Sequence, residues 1–228
     1  MEWIALIGMT PFTLLHILGV AFGLGIATGM DFLLVRNVFR HAVLTETHVN
    51  SLTVLSKFVS IALIMLWISG IGFLLHYAVV TPEKLTNPKI WSKLSIVAIL
   101  TLNGMVIHYA VLPKLRGCVG KSLLAALPYK ILALFFVTGA VSFVSWYFPF
   151  FYGTLPVLNF AFSFYEFSAA YLAVLSVAVL AGLSILGYLY SGLMAAGQLQ
   201  KPVRINNYAL QSEKGVIPVS FGQQVQVR

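Results

Sequence analysis

From Pro11 to Arg36 the chain reads PFTLLHILGVAFGLGIATGMDFLLVR, and apart from His16 its only ionisable side chain before the closing arginine is Asp31. About 20 apolar residues of α-helix cross the hydrocarbon core of a bilayer. Lipid offers no hydrogen bonds to a peptide backbone, so a segment of this kind satisfies its N–H and C=O groups internally, as a helix. Four more stretches have the same character: about 55–79, about 92–112 (closed by Pro113), about 125–148 (with Pro128 in its first turn), and 166–195 within a longer apolar run. Val157–Tyr165 reads as an interfacial or tilted lead-in to the last of these. The expected fold class is therefore an all-α integral membrane protein. It comprises a bundle of five transmembrane helices within residues 1–197 and a polar C-terminal tail over 198–228.

Composition agrees with this reading. Of 228 residues 60% are hydrophobic and 9% charged, with a mean hydropathy of +0.94; soluble domains carry about 25% charged residues. The single cysteine, Cys118, excludes an internal disulfide and lacks CxxC spacing, so it reads as a small apolar residue. The net charge of +8 does not point to nucleic acid, because the basic residues lie between apolar spans. Arg36, Arg40, Lys57, Lys114, Arg116, Lys121 and Lys130 fall on one side, and Lys84, Lys89 and Lys93 on the other. The positive-inside bias puts the first side in the cytoplasm, with the N-terminus out, the C-terminus in, and the chain multi-pass. Glu2–Pro11 reads as an interfacial lead-in with Trp3 at headgroup level, rather than a cleaved signal peptide.

Ionisable groups inside a membrane are costly and mark function or pairing. Successive spans alternate in direction, so His16, His76 and Lys93 occupy comparable depths on the N-terminal side. Asp31 and His108 lie toward the opposite surface, with Asn103 somewhat deeper, and form a candidate proton or ion path. His16 and Asp31 are separated by about 22 Å along the helix and about 60° in azimuth, broadly on one face. Gly19 and Gly23, and again Gly25 and Gly29, have the spacing that admits a second helix or a flat ring against the backbone. His76 is close enough to the interface to be solvated, and Lys93 can snorkel to the headgroups. His41 and His48 fall in a cytoplasmic loop, Glu166 near the start of the fifth span, and WYFPFFYG (146–153) reads as an interfacial aromatic belt.

No P-loop, nucleophile elbow, HExxH, dinucleotide fingerprint or CxxCH is present. An imidazole-bearing bundle remains, and such bundles hold b-type haem between axial ligands on facing helices. His16, with His76 or Lys93, would supply haem-iron ligands, and Gly19 and Gly23 the close approach.

Residues 11–113 resemble the small bacterial membrane proteins of the HemJ and CopD type. The resemblance lies in His16 early in span one, the DFLLVR end of that span, SGIGFLL in span two, and IWSKLSIVAILTLNG opening span three. In HemJ-type protoporphyrinogen oxidases a span-one histidine and a lysine opening a later span form the functional pair, associated with haem; the matching positions are His16 and Lys93. The chain differs in having Phe22 and Gly23 where a span-one tryptophan is usual, and in two further spans. The leading expectation is a membrane-embedded, haem b-binding electron-transfer protein, an oxidoreductase if it is an enzyme. Its expected partners are the lipid bilayer and a quinone or another membrane redox protein, in a homo- or hetero-oligomer. The alternatives are proton or ion transport through Asp31 and His108, and a non-catalytic assembly subunit of a larger membrane complex.

Overall fold

The computed structural model describes residues 2–195, with side chains from Met9 onward. The tail over 198–228 and the side chain of Trp3 lie outside the described residues. Five helices are long and apolar enough to span a membrane. They are α1 (Glu2–Phe39), α2 (Glu46–Val80), α3 (Pro88–Val106, prolonged through Ile107–Val111 to Leu112–Arg116), α4 (Tyr129–Gly153) and α5 (Phe164–Ala195). The chain is thus a multi-pass, all-helical bundle, and among the described residues the one β feature is an isolated bridge between Val43 and Ser122.

The helix starts follow from local chemistry. Thr45 caps α2 by accepting from the His48 amide at 3.2 Å, and Asn87 caps α3 by accepting from the Lys89 amide at 3.1 Å, with Pro88 at the first helical position. At α5 Glu166 forms a capping box with Ser163. Its Oε2 accepts from the Ser163 amide (2.7 Å) and hydroxyl (2.8 Å), while Ser163 Oγ accepts from the Glu166 amide (3.3 Å). The lead-in before it is a short 3₁₀ turn, Pro156–Leu158, followed by irregular chain with Phe160 at φ 58°.

Two prolines behave differently from expectation. Pro128 does not lie inside the fourth span: Leu127 before it is extended (φ −112°, ψ 140°), so one turn, Leu123–Ala126, is cut off and α4 starts after the proline. Pro113 does not close the third span. A proline lacks the N–H that would bond the carbonyl at i−4, and its ring crowds that carbonyl. The helix responds by widening into a π turn over Ile107–Val111, with the Leu112 amide reaching back to the Ile107 carbonyl, and then continues.

α1 runs along α2, α4 packs against α1 and α3, and α5 lies outside against α4 and α3. At the Asp31 end the apolar core gathers Met30, Val38, Leu44, Leu115, Leu124 and Leu132. There the connections before α2 and after α3 are tied together, the Leu44 amide donating to Lys121 O (3.1 Å) and the Gly120 amide to Leu44 O (2.8 Å). Gly120 sits at φ 79°, where a side chain would be strained. At mid-depth Ala27, Ala62, Leu63, Leu66, Leu100 and Trp146 form a second apolar cluster. Polar groups cross-link the helices: Trp67 Nε1 donates to Thr101 Oγ1 (3.0 Å) and the buried Asn103 Nδ2 to the Thr138 carbonyl (3.0 Å).

The glycine pairs separate. Gly19 faces α2, where a Cβ would stand 3.2 Å from the Ala62 carbonyl, and Gly23 is covered by the Trp146 indole of α4. Gly25 and Gly29 have no atom within 4 Å of a Cβ position, so this second pair admits no helix within the described chain.

Two cavities on one helix wall

The mid-depth cluster divides two cavities, both bounded by α1, α2, α3 and α4. Toward the N-terminal end a cavity of about 370 Å³ is lined by His16, Lys93, Leu66, Trp146, Phe150 and Gly153, among others. Toward the other end a cavity of about 80 Å³ is lined by Asp31, Ser56, Ser60, His108, Thr138 and Ser142, among others. Val20, Leu66, Leu100 and Trp146 face the first, and Ala27, Val59 and Leu63 the second. All seven belong to the one apolar cluster, which stands between the cavities as a septum.

In the larger cavity the tautomer of His16 follows from its partner. His16 Nδ1 is 2.9 Å from Ser69 Oγ. The Ser69 hydroxyl commits its proton to its own helix, donating to Met65 O (2.8 Å) and Leu66 O (3.1 Å). Ser69 must therefore accept, Nδ1 carries the hydrogen, and the lone pair of the neutral ring is on Nε2. Ser69 is fully buried, and the ring is flanked by Phe73 at 5.4 Å, so the imidazole is held in place. Lys93 enters the same cavity from α3. Its Nζ lies 5.8 Å from the centre of the Tyr152 ring, and it has no hydrogen-bonded acceptor among the described residues. Gly153 makes room for it: a Cβ there would stand 2.8 Å from Nζ. Lys89, one turn before, is spent on structure, donating to Leu155 O (2.7 Å) and Asn159 Oδ1 (3.2 Å).

The structure thus brings His16 and Lys93 together. His76 is not on the wall of this cavity; its ring lies edge-on to Tyr77 at 6.3 Å. Gly19 and Gly23 serve helix packing and the seat of Trp146. The aromatic run 146–153 is split, with Trp146 and Tyr152 buried and Phe151 exposed. Ser69 and Trp146 gave no sign of their role in the sequence, since a serine or a tryptophan in an apolar span fits many positions.

In the smaller cavity Asp31 and His108 share a wall, as their depths suggested. They share it without a direct hydrogen bond: Asp31 Oδ2 is buried and has no partner. Gly139 on α4 faces the carboxyl, and a Cβ there would stand in ordinary contact with Oδ1, at 4.0 Å. Asn103 lies beside the cavity, its amide bonded to the Thr138 carbonyl. His108 is carried by the π turn that Pro113 imposes, a distortion that often accompanies functional positions.

No protein family, no curated protein and no solved structure matches this chain.

Proposed function

We propose that the chain is a membrane-embedded electron-transfer protein of a bacterial inner membrane that binds a b-type haem in the cavity between His16 and Lys93. The observation that carries this reading is the Ser69 hydroxyl: by accepting from Nδ1 it leaves the His16 lone pair on Nε2. A histidine that ligates a metal commonly donates its other ring N–H to a fixed acceptor, which sets both tautomer and orientation. Lys93, facing the same cavity with no protein acceptor, is suited to be the second nitrogen. Trp146, Phe150 and Leu66 offer apolar walls to a flat macrocycle. Bound haem supplies one-electron redox chemistry. Here His16 would hold it, Ser69 would orient that ligand, and the septum would close the inner side of the cavity, which leaves the His16 end for electron exchange. A quinone dissolved in the bilayer is the partner proposed there. The basic loops at the Asp31 end support a cytoplasmic position for that end.

The test is the visible spectrum of protein purified from haem-replete cells, recorded reduced minus oxidised. A Soret band that is lost in His16→Ala, shifted in Lys93→Ala and unchanged in His76→Ala is expected. Protein with no Soret band that also takes up no added haem overturns the proposal, as does wild-type haem content in His16→Ala.

A further inference from the structure

The smaller cavity has a chemistry of its own. Three of its four hydroxyls spend their protons on their own helices. Ser56 donates to Thr53 O at 2.8 Å, Ser60 to Ser56 O at 3.0 Å, and Thr138 to Leu134 O at 2.9 Å and Phe135 O at 3.1 Å. A hydroxyl has one proton and two lone pairs, so what these three present to the cavity is lone pairs. Beside them stands Asp31, whose Oδ2 is shielded from solvent and unpartnered. The wall is therefore rich in oxygen acceptors and, His108 apart, has no donor side chain with a free proton except Ser142. Ser56 and Thr138 are each 5% exposed, so these oxygens have no bulk water to turn to.

An acceptor-lined space around one carboxylate suits a cation. One negative charge matches one positive charge, and a divalent ion would leave an uncompensated charge in a low-dielectric site. The volume also discriminates. At about 80 Å³ the cavity suits a small ion with a few waters better than a bulky organic cation. We propose that the cavity formed by Asp31, Ser56, Ser60 and Thr138 binds a small monovalent cation, with sodium as the ion that fits and the carboxylate and hydroxyl oxygens as its ligands. Asp31 and His108 are the titratable side chains on the wall; α2 and α4 contribute none. A proton on either opposes the ion, so sodium binding weakens as the pH falls. The site is separate from the His16 cavity and stands or falls independently of the haem reading.

The experiment is thermal unfolding of the purified full chain in detergent at pH 8, with sodium chloride replacing choline chloride at constant ionic strength. A ligand that binds only the folded state raises the melting temperature in proportion to the logarithm of its concentration above its Kd. The wild type is expected to show this rise, Asp31→Asn to lose it, and Ser60→Ala, which keeps the carboxylate and removes one lone-pair donor, to need about tenfold more sodium. If Asp31→Asn does not fold, Ser60→Ala and the pH 6 measurement on the wild type carry the test. No sodium dependence in the wild type overturns the proposal. So does a response retained in full by the variants, or a stability that follows pH alone, which would make the occupant a proton.

Discussion

At Gly23 an added methyl group would meet the indole of Trp146, a side chain only 4% exposed that is itself part of the septum. Gly29, on the same helix, faces open space. Overpacking a filled site costs about 1–3 kcal/mol, whereas replacing an exposed helical glycine by alanine gains up to about 1 kcal/mol from helix propensity. Gly23→Ala is expected to lower the unfolding midpoint in detergent and Gly29→Ala to hold or raise it; equal effects would count against the packing described. The sequence showed both glycines at helix-contact spacing and could not tell the pairs apart, because spacing fixes a face and leaves open what covers it. The histidines show the same limit. Depth groups His16, His76 and Lys93 at one level, but azimuth decides which of them line a cavity. His76 turns to Tyr77 and His16 to Ser69, fifty-three positions away in the chain.

Elements were more legible than contacts. Five apolar runs became five helices, since lipid leaves a backbone little else to do. The errors fell at prolines and caps. Pro113 removes a hydrogen bond and so reads as an end; the helix absorbs the loss in a π turn and runs on to Arg116. The SFYE signal at 163–166, a capping box in sequence, fixes the start of α5 that hydropathy left vague. Removing a cap of this kind costs about 1 kcal/mol. In Ser163→Ala that loss is expected to fray the first turn of α5, read as faster hydrogen exchange confined to residues around 164–168, with the remaining helices unchanged.

At the scale of the molecule, the knot between the loops before α2 and after α3 encloses Cys118. The thiol is 2% exposed and donates to Lys114 O at 3.2 Å. Burial pushes the Cys118 thiol above its ordinary value, and Lys121 opposes this less strongly. A thiol with a raised pKa carries less thiolate at a given pH, and the thiolate is the reactive form. Maleimide labelling of the folded protein at pH 7 is therefore expected to be at least about tenfold slower than in the SDS-unfolded chain. It should speed up with pH only beyond the range of an ordinary cysteine. Gly120→Val, which strains the φ 79° turn holding the knot, should accelerate it; native labelling as fast as unfolded would show the loops apart.

The septum has an electrical meaning. A bilayer insulates across about 30 Å of hydrocarbon, and here polar cavities reach in from both ends toward one apolar cluster that includes Leu63, Leu66 and Leu100. A charge resting at His16 or at Asp31 has traversed part of the membrane voltage, and the remainder falls across the layer between them. Full passage is worth about 2.3 kcal/mol per 100 mV. The two sites divide that sum, so occupancy at each answers to the voltage.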